Sequence, residues 1–232
     1  IKNNVKKIIS VYGQKIYTLE NLDKFLEQEN DNSYAVLTKT GDIYWVIDAD
    51  KAKYSNGTTC KKIERDYKIK DIIKTMDSAL VITTDNRIIY QNFYNEGQSF
   101  SYDVTNKISN INNITTMVSD GDGVVYVLTN NKEIFYFHSN DLIRDNDYKK
   151  YYINIPDEVK NKNFTIVNSL LNEYSLYIVD ENNVIIGQIS TGGIKGNISL
   201  LDYDIPLTKI EYISLIYSNI GLDINKNLYA KN

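Results

Sequence analysis

The chain is poor in the residues that cross-link, coordinate or break structure. Its 232 residues include one cysteine, one histidine, one tryptophan and two prolines. A single cysteine, Cys60, excludes an intrachain disulfide framework, so stability has to come from burial and strand pairing. No run of 18 apolar residues exists, which excludes a membrane-spanning helix. A basic excess is missing too. With 26 Lys and Arg against 30 Asp and Glu, the net charge is −4 and the pI about 5.2. That balance argues against a general nucleic-acid binder and against insertion into or adhesion to an anionic membrane. Scarce proline suits a strand-dense chain, because proline breaks strand ladders. An initiating methionine and a signal-peptide pattern are also missing, so the expectation is a processed chain or a segment of a longer chain. Lysine outnumbers arginine 23 to 3 and asparagine supplies 29 residues. This bias removes weight from any argument based on their abundance.

What the chain has is a repeat. The stretch VITTDNRIIYQ from Val81 recurs as VLTKTGDIYWV from Val36, VLTNNKEIFYF from Val127, IVDENNVIIGQ from Ile178 and GLDINKNLYAK from Gly221. Aligned on Leu37, Ile82, Leu128, Ile178 and Leu222, the intervals are 45, 46, 50 and 44 residues. A fixed period of this size marks a repeat architecture. Each unit reads as an apolar strand, a polar turn and a β-branched or aromatic strand. The turns hold Thr40-Gly41, Asp85-Asn86, Asn130-Asn131, Asn182-Asn183 and Asn225-Lys226. Gly, Asn and Asp accept the positive φ of tight hairpins, so each unit is a hairpin, and Asn86 is expected to be left-handed. A leading strand precedes four of the hairpins, at Ile69/Ile72, Ile111/Ile114, Phe164/Val167 and Ile210/Ile213; Val5 and Ile8 fit the same part in the first unit.

Four short antiparallel strands per ~40–50 residues is the blade of a β-propeller. Residues 1–232 therefore read as one all-β domain of about five four-stranded blades of ~45 residues. The blades fall at 1–66, 67–106, 107–150, 151–206 and 207–232. Helical periodicity is absent except for a brief stretch at Leu22–Glu29. Residues 49–66 read as a long polar outer loop. The last unit stops after its hairpin, which leaves two closures: the N-terminal strand Val5–Val11 pairs near Leu228 and Tyr229 and closes a five-bladed ring, the economical arrangement since an open ring leaves free edges, or further blades follow in a longer chain.

The segments ALVITTDNRIIYQN, VVYVLTNNKEIFYF and YSLYIVDENNVIIG resemble the regulator-of-chromosome-condensation repeat and related bacterial propeller repeats. The resemblance implies a propeller fold and protein recognition, with members that include exchange factors, chromatin binders, and pieces of toxins and surface proteins. It carries no functional residue onto a position of this chain.

Candidate chemistry is sparse. His138 and the adjacent Ser139 lack a nucleophile-elbow sequence, and His138 is expected at a blade edge. Asp120 and Asp122 in SDGDG have calcium-loop spacing but lack the remaining ligands, so a turn is expected. Ser190–Asn197, STGGIKGN, matches no phosphate loop. Sequons at Asn56, Asn113, Asn163 and Asn197 are as many as ~4 expected from composition. The pairs Asp48/Asp50 and Asp202/Asp204 read as solvated loop charges, not an acid–base couple. Tyrosine is the notable excess, with 20 Tyr against 6 Phe and 1 Trp. Tyrosine favours half-buried strands and recognition surfaces, and Tyr44-Trp45 is the pair selected as a binding candidate.

The expected function is non-enzymatic recognition of another protein, with no cofactor and no metal. The alternative is a carbohydrate- or receptor-binding module of an extracellular bacterial, toxin or phage-like assembly. A hydrolase with a site at the propeller centre is a third, weaker reading.

Overall fold

The computed structural model describes residues 4–10, 16–17, 33–47, 60–75, 78–92, 101–108, 111–120, 123–144, 148–168, 175–182, 184–190, 197–200, 219–222 and 228–231. They form antiparallel sheets. The first has the order β2-β1-β3-β4-β5, built from β1 (Val5–Ser10), β2 (Ile16–Tyr17), β3 (Ser33–Thr38), β4 (Ile43–Ile47) and β5 (Cys60–Ile63). Three four-stranded meanders follow in chain order. They are β6 (Ile69–Lys74) to β7 (Ser78–Thr83), β8 (Ile88–Asn92) and β9 (Ser101–Asp103); β10 (Ile114–Ser119) to β11 (Val124–Thr129), β12 (Ile134–His138) and β13 (Tyr151–Ile153); and β14 (Phe164–Asn168) to β15 (Ser175–Asp180), β16 (Ile185–Ser190) and β17 (Ile198–Leu200). A hairpin of β18 (Asn219–Leu222) and β19 (Leu228–Lys231) ends the series.

These sheets are the blades of a β-propeller. Among the described residues four blades are complete, against about five expected, and the fifth repeat contributes its hairpin alone. Its expected leading strand at Ile210 and Ile213 lies outside the described residues, as does Leu22–Glu29.

The chain divides into two compact units, Ile1–Ile111 and Asn112–Asn232. In the first, Ala35, Leu37 and Ile43 pack with Ile69, Ile72, Ala79, Val81 and Ile89 of the next blade. In the second, Val124, Tyr126, Leu128 and Ile134 pack with Ile166, Leu176, Ile178, Ile189 and Ile198. Burying such faces at roughly 25 cal/mol per Å² is the main stabilising term available to a chain with no cross-links.

The turns repeat in atomic detail. The amides of Thr38, Thr83, Thr129 and Asp180 donate to the carbonyls of Asp42, Arg87, Glu133 and Val184. In return, the amides of those four residues donate to the side-chain oxygen of the same Thr or Asp, at 2.9, 2.8, 3.1 and 3.0 Å. The next residue ties the turn to the start of the leading strand. Lys39, Thr84, Asn130 and Glu181 donate to the carbonyls of Asn4, Lys68, Asn113 and Asn163 at 2.7, 3.0, 2.8 and 3.1 Å. Left-handed residues complete three turns: Gly41 (φ 79°), Asn86 (φ 64°) and Lys132 (φ 60°). Asn86 is as expected. In the third turn the left-handed position falls on Lys132, not on Asn130 or Asn131, because the turn places the bend three residues after Thr129.

Several expectations are corrected. The N-terminal strand does not pair with β19. It pairs with β3 of its own sheet, Ile8 opposite Val36, and on its other side with β2. Val5 and Ile8 thereby fill the leading-strand role, and both are buried. Cys60–Ile63 is not part of an outer loop; it is the fourth antiparallel strand of the first meander, Trp45 opposite Lys61 and Val46 opposite Cys60. The third blade runs past residue 150, since β13 supplies its last strand. The shared turn pattern also makes Val179, not Ile178, the counterpart of Leu37, Ile82 and Leu128. Leu37, Leu128, Ile178 and Val179 are buried, but Ile82 is only half-buried, and the side chain of Leu222 lies outside the described residues.

Candidate binding surface

The aromatic residues converge on the outer edge of the third blade. In β12 the sequence Ile134-Phe135-Tyr136-Phe137 alternates faces, as a strand must, and β13 is laid beside it in register. Phe135 stands opposite Tyr152 and Tyr136 opposite Tyr151. Their ring centroids are 5.9 and 5.2 Å apart, the second pair stacked at 19°. Phe137 lies 6.3 Å from Phe135 and meets the edge of Tyr148 at 5.5 Å. Cross-strand aromatic pairs of this kind hold a short edge strand in place. The ammonium of Lys150 sits 5.1 Å from the Phe135 centroid, and burial pulls its pKa below the usual lysine value.

Phe135, Tyr136 and Phe137 are buried and Tyr148 is half-buried, but two rings are exposed. Tyr151 is 45% exposed and Tyr152 63%. They stand on an edge strand, Tyr151 against buried Tyr136 on one face of the sheet and Tyr152 against buried Phe135 on the other, with both rings presented to solvent. Tyr102 on β9 and Leu200 on β17 are the other large hydrophobic residues exposed among those described, each on the outer strand of its own blade. Among the described residues, outer strands therefore carry the exposed large hydrophobic side chains. The Tyr148 hydroxyl is buried without a hydrogen-bond partner among the described residues, and burial raises its pKa well above the ordinary phenol.

The residues selected from sequence are placed elsewhere. Tyr44 is half-buried on β4, opposite Val36 and Lys62. Trp45 follows it opposite Ala35 and Lys61; its side chain lies outside the described residues. His138 is exposed at the end of β12, and Ser139 opens a 3-10 turn with its hydroxyl buried and unpartnered among the described residues. Asp120 is a turn former: it is buried, its Oδ1 accepts the amide of Val124 at 3.1 Å, and its own amide donates to the Val124 carbonyl. Asp122, Asp48, Asp50, Asp202, Asp204 and the glycines of Ser190–Asn197 up to Gly196 lie outside the described residues. Among the described residues no three His, Cys, Asp or Glu side chains gather as a metal site would require. The Tyr151–Tyr152 edge was not selected from sequence. The signal was the dense YKKYY run at 148–152, about ten residues after the hairpin, where the fourth strand of the blade falls.

No protein-family model and no curated protein matches the chain. Solved structures do. Prp20p from Saccharomyces cerevisiae, described with its binding properties to Gsp1p and histones, matches with a TM-score of 0.53 and 12% identity, over 86% of this chain and 56% of that one. Yeast RCC1 (Prp20), solved bound to Kap60, matches with a TM-score of 0.51 and 13% identity, over 86% of this chain and 54% of that one. The chain thus spans just over half the length of these neighbours. At such identity the likeness shows the fold alone, a β-propeller.

Proposed function

We propose that this propeller is a non-enzymatic recognition module that binds another protein, and that the outer edge of the third blade is part of its contact surface. The observation that carries the reading is the exposure of Tyr151 and Tyr152 on one edge strand over a buried aromatic backing. Tyrosine offers large contact area with little rotamer freedom to lose, which is why it recurs at the energetic centres of interfaces. Edge strands also leave backbone donors and acceptors for a partner strand. The propeller neighbours support a protein partner: Prp20p is described as binding Gsp1p and histones, and was solved with Kap60.

A photo-crosslinking residue at position 152 tests the reading in the native host. A protein captured there should bind the purified chain in calorimetry, and Tyr151→Ser with Tyr152→Ser should weaken binding by at least ~30-fold, the loss of a pair of hot-spot side chains. Unchanged affinity in a folded double variant removes this edge from the interface. The second reading, a carbohydrate- or receptor-binding module of an extracellular assembly, draws on the same exposed Tyr152 ring with Asn154 exposed beside it, since sugars stack on such faces. A glycan array probed with the double variant in parallel decides between the two.

A further inference from the structure

In the first unit, a small polar cleft lies where the turn after β3 meets the segment between β5 and β6. It is lined by Gly41–Ile43, Lys62–Arg65 and Tyr67–Ile69. Asp42 is part of its lining, and its Oδ1 accepts from two ammonium groups, Lys68 at 2.7 Å and Lys62 at 3.2 Å. The two nitrogens therefore stand no further apart than those two legs allow, about 6 Å. The other carboxylate oxygen of Asp42 accepts from Thr40 Oγ1 at 3.0 Å. The carboxylate is thus fixed, and it fixes both lysines.

One carboxylate holding two ammoniums leaves a positive charge over. Each ammonium has three N–H donors, and one of each is used on Asp42. The remaining donors face outward, because the Lys62 and Lys68 side chains are 40% and 56% exposed. Arg65 also lines the cleft and donates to Gln91 at 2.8 Å. Glu64 is the competing anion of the lining, and it is exposed. Lysines, unlike a bidentate arginine, act as point charges toward a compact anion. We propose that this cleft is an oxyanion site, in which Lys62 and Lys68, held by Asp42, take two oxygens of one phosphate or sulfate group. The group is free, or it is the ester terminus of a larger molecule that extends past Tyr67.

Amide chemical-shift titration of the ¹⁵N-labelled chain with inorganic phosphate, at ionic strength held constant with chloride, tests the site. The expected result is saturable shifts confined to Gly41–Ile43 and Lys62–Ile69, at millimolar phosphate as suits exposed ion pairs. Chloride alone should not produce them. Lys62→Gln with Lys68→Gln should weaken binding by about tenfold or more. Lys68→Gln alone, at the more exposed lysine, keeps the test valid if the double variant folds poorly, and should weaken binding severalfold. Methyl phosphate run in parallel separates a free anion, bound equally, from an ester, bound more tightly. Shifts that fail to saturate, that spread over the whole chain, or that survive in the folded lysine variants overturn the proposal.

Discussion

The hydroxyl of Thr83 accepts the amide N–H of Arg87 at 2.8 Å, across the turn whose outer bond runs back from the Thr83 amide to the Arg87 carbonyl. Thr38, Thr129 and Asp180 make the same reciprocal pair in their blades. The side chain satisfies an amide that the hairpin turns away from the ladder. Thr83→Val keeps the shape and removes the acceptor. Leaving such an amide unsatisfied costs about 1–3 kcal/mol, so chemical denaturation should show a lower midpoint with an unchanged slope. Thr83→Ser should be nearly neutral.

Gly41 has φ of 79°, and a Cβ placed on it would lie 2.9 Å from both the backbone N and O of Ile69. Its own carbonyl accepts from the Ile69 amide at 3.0 Å. The left-handed conformation alone costs a non-glycine residue roughly 1–2 kcal/mol. Gly41→Ala should exceed that, because backbone and not a flexible side chain blocks the methyl. Asn86→Gly, at the equivalent bend, should be stabilising or neutral. Paired thermal melts check the contrast.

Burial separates three apolar positions in the strands that lead into the hairpin turns. Leu128 and Ile178 are within the core of the second unit, while Ile82 is half-buried. Leu128→Ala and Ile178→Ala should each cost ~2–5 kcal/mol. Ile82→Ala should cost distinctly less. Equal losses at all three would place the inward face of the second blade differently.

Asp42 has its pKa held down at about 2, first by the Lys68 hydrogen bond, then by Thr40 and Lys62. A carboxyl depressed in the folded state adds stability above its unfolded value, near 3.9, and loses it as pH falls through the folded value. The affected window is about pH 4 to 2. Lys62 is shifted upward by the same partner, so its contribution is present below the unfolded lysine value and lost as pH rises beyond it. Asp42→Asn should flatten the acid limb of a stability–pH profile, and added salt should shrink the difference between variant and parent.

The sequence by itself determined the repeat, the hairpins and the propeller class. Those follow from local rules: an alternating apolar strand, a Thr, Asn or Gly turn, and a β-branched return strand can do little else. Asn86 was readable for that reason. The left-handed Lys132 was not, because only the hydrogen-bond pattern of the closed turn shows which residue stands third after Thr129. Tertiary structure alone decided which edge the N-terminal strand takes. Val5 and Ile8 suit any blade by composition, and the choice of β3 rests on the register that sets Ile8 opposite Val36 and buries both leading-strand residues. It also decided the sites. Tyr44 and Tyr152 are the same residue type on similar strands. One lies half-buried on a strand paired on both sides and the other on the outer strand of its sheet, a difference made by strand order, which no local pattern encodes. Likewise Asp42, Lys62 and Lys68 are separated along the chain by up to 26 positions. Their charges acquire a shared geometry only when the turn of the first blade meets the segment leading into the second.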